Sequence, residues 1–212
     1  SNGVGSCIKH FAANNQETDR MVSDSVMDER TLHEIYLPAF ETVVKKAKPL
    51  GVMAAYNKLN GTHCSENKEL LTDILRKRWG YEGMVVTDWG GDNDHTEGVK
   101  AGSNLVMPVP GPDCAIGLVK AVQEGRISEK VLDKRVEELL EQVFSLTESV
   151  AAAPKSFDVD AHHAIAEKCA AASIVLLDND GILPLNRNDT VAVIGDFAQN
   201  PRYQGCLLYT SD

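Results

Sequence analysis

The sequence lacks the features that mark several common classes of protein. No apolar run approaches the roughly 20 residues that a membrane-spanning helix needs, so no membrane segment is expected. No G-x-G-x-x-G loop follows the apolar run at 191–195, which leaves little support for a bound nucleotide. The 21 lysines and arginines are outnumbered by 31 acidic residues, and the net charge is −10. Because nucleic-acid binding depends on a surplus of cations, no nucleic-acid partner is expected.

Cysteine is present but scattered. The chain has five cysteines and no CxxC pair, which indicates neither a zinc site nor a disulfide framework, so no metal and no other cofactor are predicted. Reduced thiols fit a cytoplasmic protein best. Since the chain opens with Ser1 rather than methionine, a removed leader, and with it a secreted or periplasmic location, stays open. The cysteines are Cys7, Cys64, Cys114, Cys169 and Cys206.

Short apolar runs alternate with helical patterns along the first part of the chain. Asp28 and Ser65 are the expected N-terminal caps of the first two helices. Four strand–helix units in about 120 residues imply a parallel sheet with right-handed crossovers. The predicted fold class is therefore α/β, and the four units amount to half of an eight-stranded (β/α)8 TIM-type barrel. The strands are predicted at 8–11, 52–56, 84–88 and 105–107, and helices within 32–44, 70–75 and 115–123.

A change of pattern near residue 150 predicts a domain boundary. Ser128 is expected to start a long helix, and the three alanines and proline of 151–154 interrupt the pattern as a linker would. We assign 1–150 to the barrel domain and 151–212 to a linker and the start of an α/β sandwich domain, with a strand at 191–195. Roughly 60 residues cannot cover both faces of a parallel sheet, so this second domain is expected to be incomplete. The long helix should present one apolar face formed by Leu132, Val136, Leu139, Leu140, Val143 and Phe144.

The segment 84–91 carries the strongest functional signal. A β-branched apolar run stops at Asp88 and continues with Trp89 and two glycines. Loops at the carboxyl ends of strands in alternating α/β folds carry the chemistry. Lys9 and His10 end the first strand, and Arg20 lies in the polar loop that follows. Charged groups beside an aromatic ring suit a polyhydroxylated ligand such as a sugar, with the Asp88 carboxylate as a nucleophile.

Three segments together resemble glycoside hydrolase family 3, the β-glucosidase family. They are IKHFAANNQETDR, VMAAYNKLNG and GMVVTDWGG, in the family's order and spacing. The resemblance implies that Asp88 is the nucleophile of a retaining β-glycosidase. It further implies that the glycone hydroxyls are held by Lys9, His10 and Arg20, that Tyr56 bonds near the nucleophile, that Trp89 borders the leaving-group subsite and that Met53 lines the pocket. The expected substrate is a small β-linked glucoside or oligosaccharide.

The chain also departs from the family pattern. His95 stands where many relatives carry arginine, Asn104 where aspartate is usual, and Asp178 where lysine is common. The tail 206–212 replaces a loop rich in glycine and serine, so we expect a truncated frame with a foreign end. The first four barrel strands and the general acid/base are expected to lie outside the chain. The isolated piece, as the C-terminal half of the barrel, should therefore be a poor enzyme.

Each predicted site residue has an ordinary structural alternative. Asp88 could be a turn residue, His10 a core histidine, Tyr56 and Met53 packed strand residues, and Arg20 a surface partner of Glu17 or Asp19. Residues 92–95 resemble a cation loop but lack the spaced ligands of one, which favours a solvated turn. Three functional alternatives remain: a β-xylosidase or other family 3 exo-glycosidase, a sugar-binding fragment without turnover, and an unrelated nucleotide enzyme. The sequence does not predict the oligomeric state.

Overall fold

The computed structural model describes residues 4–108, 111–152 and 156–200. The chain divides into two compact units, residues 1–155 and 156–212. None of the described helices is long and apolar enough to cross a membrane. The linker residues 153–155, and the tail 206–212 whose origin the sequence questions, lie outside the described residues.

The first unit is built on a parallel sheet of three strands, β1 (Cys7–Phe11), β3 (Gly51–Ala54) and β6 (Met84–Thr87). Their order in the sheet is β1–β3–β6. β3 pairs with both neighbours in parallel, which confirms the parallel α/β arrangement predicted from the alternating pattern. Each crossover passes through helix. A second small sheet contains β2 (Asp24–Ser25), β4 (Lys58–Leu59) and β5 (Thr62–His63).

The strand predicted at 105–107 is reduced to a single parallel bridge between Leu105 and Val86. The Thr87 N–H donates to the Leu105 carbonyl at 2.9 Å. The next donor on that side, the Met107 N–H, bonds to the Thr87 hydroxyl at 3.0 Å instead of a backbone carbonyl. The side chain of Thr87 thus ends the ladder that a longer strand would need.

Helices cover the sheet and follow the predicted order. Asp28 caps the first of them as expected, its carboxylate accepting the Thr31 N–H at 2.7 Å. A wider π turn, Leu32–Tyr36, precedes Pro38, which has no N–H with which to continue the α-helical ladder. The helices are α1 (Glu29–Thr31), α2 (Pro38–Ala47), a π-helix (Glu69–Arg78), α3 (His95–Ala101), α4 (Pro112–Gln123) and α5 (Glu129–Ala152), with a 3-10 turn at Cys64–Glu66.

The prediction that Ser65 caps the second helix is wrong. Asn67 takes that place, because its side-chain oxygen accepts the Leu70 N–H at 3.0 Å. Ser65 lies in the preceding 3-10 turn, is buried, and donates its hydroxyl to the Gly91 carbonyl at 2.7 Å. A short polar residue before an apolar periodic run fits both positions, and only the fold distinguishes them.

The core lies between the sheet and its helices. Phe11, fully buried at the end of β1, packs edge-on against Phe40 of α2 and contacts Trp79, with ring centroids 5.0 and 5.8 Å away. The apolar residues of α2 and of the π-helix face this cluster, as their spacing predicts. In α5 the predicted apolar face is largely exposed, although Val131 and Leu132 pack against a small apolar cluster. The buried residue of α5 is Glu138, which accepts a hydrogen bond from Asn104.

The second unit contains α6 (Val159–Ser173) and the short α7 (Asp196–Gln199) among its described residues. The alanine-rich helix is confirmed. The strand predicted at 191–195 is not formed in residues 156–200, where no strand is present and every side chain is exposed. An isolated apolar run of this kind needs a neighbouring strand to satisfy its backbone groups, and none lies within the described part of this unit.

Candidate active site

The carboxyl ends of β1, β3 and β6 meet at one edge of the sheet. His10 belongs to β1, Tyr56 follows β3 and Asp88 directly follows β6. The His10 Nε2 atom lies 3.2 Å from Asp88 Oδ2. The structure therefore brings together two residues from the first and third predicted segments.

Two neighbouring groups lie against the Asp88 carboxylate. Its Oδ1 atom accepts the N–H of Trp89 at 2.8 Å, while Oδ2 faces His10. The side chain is 13% exposed, which leaves it reachable from the solvent side of the sheet edge. A carboxylate fixed by neighbouring donors but still accessible can attack an electrophilic carbon.

His10 is expected to be neutral near neutral pH. Burial lowers its pKa, the Lys9 and Arg20 cations lower it further, and the attraction of Asp88 opposes them. A neutral imidazole has one N–H donor and one acceptor nitrogen, so His10 can both face the Asp88 carboxylate and meet a ligand hydroxyl.

Tyr56 bonds to the turn after Asp88 through its hydroxyl, which donates to the Trp89 carbonyl at 2.7 Å. The residue is buried, and burial together with the nearby Asp88 charge raises the pKa of its phenol. The Arg20 guanidinium lies over the Tyr56 ring, 4.9 Å from its centroid. This stacking orients Arg20 toward the site. Arg20 also pairs with Glu17 at 2.9 Å. The guanidinium therefore contacts a surface carboxylate and the Tyr56 ring at the same time.

Lys9 and Met53 lie beside this cluster. Lys9 is exposed on β1 and makes no ion pair with any residue of the described chain, although its charge is near enough to affect His10. Met53 is half-buried on β3 and pairs with Val86. The roles of both toward a sugar stay predictions, as do those of the other site residues.

The turn after Asp88 is tied down from several directions. The Gly91 N–H donates to the Asp88 carbonyl at 2.9 Å, and the Gly90 N–H to the Met107 carbonyl at 2.9 Å. Gly90 has φ +76°, a conformation that favours glycine, and a Cβ on Gly91 would crowd the Asp88 carbonyl oxygen at 3.1 Å. The Trp-Gly-Gly sequence is thus explained by the backbone of the turn.

Sequence reasoning missed two residues of this region. Ser65 bonds to Gly91, and the Glu66 carboxylate accepts the N–H groups of Asn93 and Asp94 at 3.1 and 2.7 Å. Nothing local in the sequence indicates these bonds, because they join segments more than 25 residues apart.

Comparison with known proteins places this arrangement in a family. The sequence profile of the glycosyl hydrolase family 3 N terminal domain matches residues 1–142, more than half of the chain. The chain belongs to glycosyl hydrolase family 3. The resemblance inferred from the three sequence segments is confirmed.

Relatives in this family are much longer than the chain. It is 50% identical over 206 residues to thermostable beta-glucosidase B of Acetivibrio thermocellus, covering 97% of this chain and 27% of the relative. It is 46% identical over 215 residues to an exo-alpha-(1->6)-L-arabinopyranosidase of Bifidobacterium breve, covering 97% and 28%. The crystal structure of beta-glucosidase 3B from Thermotoga neapolitana in complex with glucose aligns with TM-score 0.75 at 43% identity, covering 88% and 27%. The chain thus spans about a quarter of the length of these relatives.

The departures from the family 3 pattern have local explanations. His95, the first residue of α3, pairs with Asp92 of the preceding turn at 3.4 Å. Asp94 caps α3 by accepting the Glu97 N–H at 3.1 Å, so the segment before His95 serves as the cap of this helix. Asp178 accepts the N–H of Asn179 at 2.8 Å.

Asn104 is the most informative departure. Its side-chain oxygen accepts the Val85 N–H and an Arg76 N–H, each at 2.7 Å, and its amide group donates to Glu138 at 2.8 Å and to the Arg135 carbonyl at 3.0 Å. An aspartate could accept the first two bonds but donate neither of the others. The amide is therefore matched to the buried Glu138 of α5.

Proposed function

We propose that this protein is a retaining β-glycosidase that releases terminal β-linked glucose from small glucosides or oligosaccharides. The observation that carries the proposal is the Asp88 carboxylate, held by Trp89 and His10 at the carboxyl edge of a parallel sheet. Membership of glycosyl hydrolase family 3 supports the same reaction class.

In the proposed reaction an Asp88 oxygen attacks the anomeric carbon of the bound sugar. The bond to the leaving oxygen breaks, that oxygen takes a proton from an acid, and a glycosyl ester forms on Asp88. Water then attacks the same carbon, gives a proton back to the acid/base group and releases the sugar with its configuration retained. We place the acid/base outside the 212 residues, in keeping with relatives about four times as long.

The fold supports a larger assembly around this site. We propose that the parallel strands form the C-terminal half of a (β/α)8 barrel, with Asp88 at its carboxyl rim. The support is the parallel β1–β3–β6 order and the bridge that continues it to Leu105. In a barrel of this type, loops from several strands converge on one site, as β1, β3 and β6 do here.

The glycone is proposed to lie against His10, Arg20 and Lys9. Neutral His10 offers one acceptor nitrogen, and the two cations offer donors, so the three together suit vicinal hydroxyls. The solved relative from Thermotoga neapolitana is described in complex with glucose, which supports glucose as the sugar. Trp89 is proposed to border the leaving group, and Met53 to line the pocket.

A second candidate is another family 3 exo-glycosidase. The chain is similar to an L-arabinopyranosidase, and this similarity favours the second candidate. The ring of an arabinopyranose differs from that of glucose in lacking the exocyclic hydroxymethyl group. A β-xylosidase differs from a glucosidase in the same way. Relative kcat/KM for the 4-nitrophenyl glycosides of glucose, xylose and arabinopyranose on the full-length protein separates the three.

Covalent trapping tests the mechanism itself. A 2-deoxy-2-fluoro glucoside with a good leaving group should inactivate the full-length protein and add one fluoroglucosyl group. Peptide mass spectrometry should locate that group on Asp88, and Asp88→Asn should abolish labelling. A label on another residue, or full turnover with no label, would refute the assignment. If the chain is only a sugar-binding fragment, glucose binding without any labelling is the result.

A further inference from the structure

The turn that follows Asp88 is held by a carboxylate that lies outside it. We propose that Glu66 is a positioning residue that fixes the nucleophile turn, defined as residues 88–94, and so aims the Asp88 carboxylate. The inference rests on the proposed function, in which Asp88 is the nucleophile.

Glu66 makes two bonds to the far end of this turn. One oxygen, Oε1, accepts the N–H of Asn93 at 3.1 Å and the N–H of Asp94 at 2.7 Å. Bonds from backbone N–H groups to an ionised carboxylate are stronger than those between neutral groups. Glu66 comes from the 3-10 turn between β5 and the π-helix, so it links the nucleophile turn to a different part of the fold.

The adjacent Ser65 ties the middle of the nucleophile turn. Its hydroxyl donates to the Gly91 carbonyl at 2.7 Å, and the Gly91 N–H in turn donates to the Asp88 carbonyl at 2.9 Å. Ser65 therefore holds the middle of the nucleophile turn, and Glu66 holds its far end. A shift of Asn93 and Asp94 would reach Asp88 through one short, bonded stretch of backbone.

The same bonds fix the start of α3. Asp94, whose N–H bonds to Glu66, uses its own carboxylate to cap α3 at the Glu97 N–H. The buried Gly98 of α3 lies close by, because a Cβ on it would be 3.5 Å from the Ser65 carbonyl oxygen and 3.7 Å from Asp92 Oδ1. Glu66 thus sets where the turn ends and the helix begins.

The role of Glu66 is one of hydrogen-bond acceptance rather than ion pairing. Glu66 forms no ion pair with any lysine, arginine or histidine of the described residues. The nucleophile turn already contains Asp88, Asp92 and Asp94, so a fourth carboxylate there is favourable only because the two N–H groups satisfy it. A glutamine carbonyl can accept both N–H groups, so Glu66→Gln should preserve the function and Glu66→Ala should not.

The test compares three variants of the full-length protein. Glu66→Ala should lower kcat about 10- to 100-fold with KM changed by less than about 3-fold, because a displacement near 1 Å of a reacting group costs rates of that order. Glu66→Gln should stay within about 3-fold of the parent. Glu82→Ala is the matched control: it removes the same charge from an exposed position before the other end of β6, and it should leave kcat unchanged.

A second measurement reports on the two hydrogen bonds of Glu66, here called the tether, without relying on turnover. Amide hydrogen exchange at Asn93 and Asp94 should be at least about 10-fold faster in Glu66→Ala than in the parent, and parent-like in Glu66→Gln. If Glu66→Ala does not fold, Glu66→Asp replaces it. Its carboxylate is one methylene too short to reach both N–H groups, and a lowered kcat is expected.

The outcomes separate this inference from the proposed function. If the parent is labelled on Asp88 but Glu66→Ala keeps kcat within 2-fold, or Glu66→Gln falls as far as Glu66→Ala, the positioning role is overturned while the glycosidase mechanism stands. If the parent turns over without a label on Asp88, the proposed function fails. The exchange data then decide the tether alone, and equal exchange in parent and Glu66→Ala overturns it.

Discussion

Replacing Asn104 with aspartate should destabilise the first unit. The amide of Asn104 donates to Glu138 Oε2 at 2.8 Å and to the Arg135 carbonyl at 3.0 Å, and an aspartate removes both bonds. The new carboxylate would face that of Glu138 at hydrogen-bond distance in a buried setting. The bonds that Asn104 accepts from Val85 and Arg76 would remain.

The expected loss combines two unfavourable changes. A lost hydrogen bond costs about 1 kcal/mol, and one to a charged group about 1.5 to 3 kcal/mol. The second change is the repulsion between the two carboxylates, offset in part by Arg76, which lies 3.2 Å from Glu138, and by Arg135 at 2.9 Å. A net loss of about 3 kcal/mol in the free energy of unfolding is expected.

Urea and thermal unfolding of the full-length protein at pH 7 measure this loss. The exposed Asn15→Asp adds the same charge elsewhere and should have little effect. Glu138→Gln should rescue Asn104→Asp, because a glutamine amide can donate to the new carboxylate, and the double-mutant cycle gives the coupling. The deficit should shrink as the pH falls, since a proton shared between the two carboxyls restores a donor. An Asn104→Asp variant as stable as the parent would contradict the reasoning.

Two further predictions concern His10 and Cys64. The pKa of His10 lies below its ordinary value, so the stability that His10 contributes is present above the unfolded pKa and is lost as the pH falls through the folded pKa. NMR titration of the His10 ring should show the lowered pKa. Asp88→Asn should lower that pKa further, because the Asp88 charge raises it. A His10 that titrates above a free histidine would contradict this. Burial raises the pKa of the Cys64 thiol to about 12, so iodoacetamide at pH 8 should alkylate it at least about 100-fold more slowly in the native protein than in urea, as read by mass spectrometry. Equal rates would show that Cys64 is accessible.

Local pattern predicted most of the first unit correctly. The strands at β1, β3 and β6 are short β-branched or apolar runs between turn residues, and the Asp28 cap has the expected bond. The errors occur where a local pattern fits two structures. Ser65 precedes an apolar run as a cap would, and the run at 191–195 has strand composition without a neighbouring strand in the described residues.

Sequence alone determined the family and the candidate nucleophile. A β-branched strand that ends in Asp88, Trp89 and two glycines is a local pattern, and glycine is needed there for the backbone of the turn itself. The tertiary structure alone decided which groups act on that carboxylate. His10 meets it across the sheet, and Ser65 and Glu66 bond its turn over 26 residues or more. Such contacts depend on strand pairing and helix placement, which no periodicity along the chain encodes.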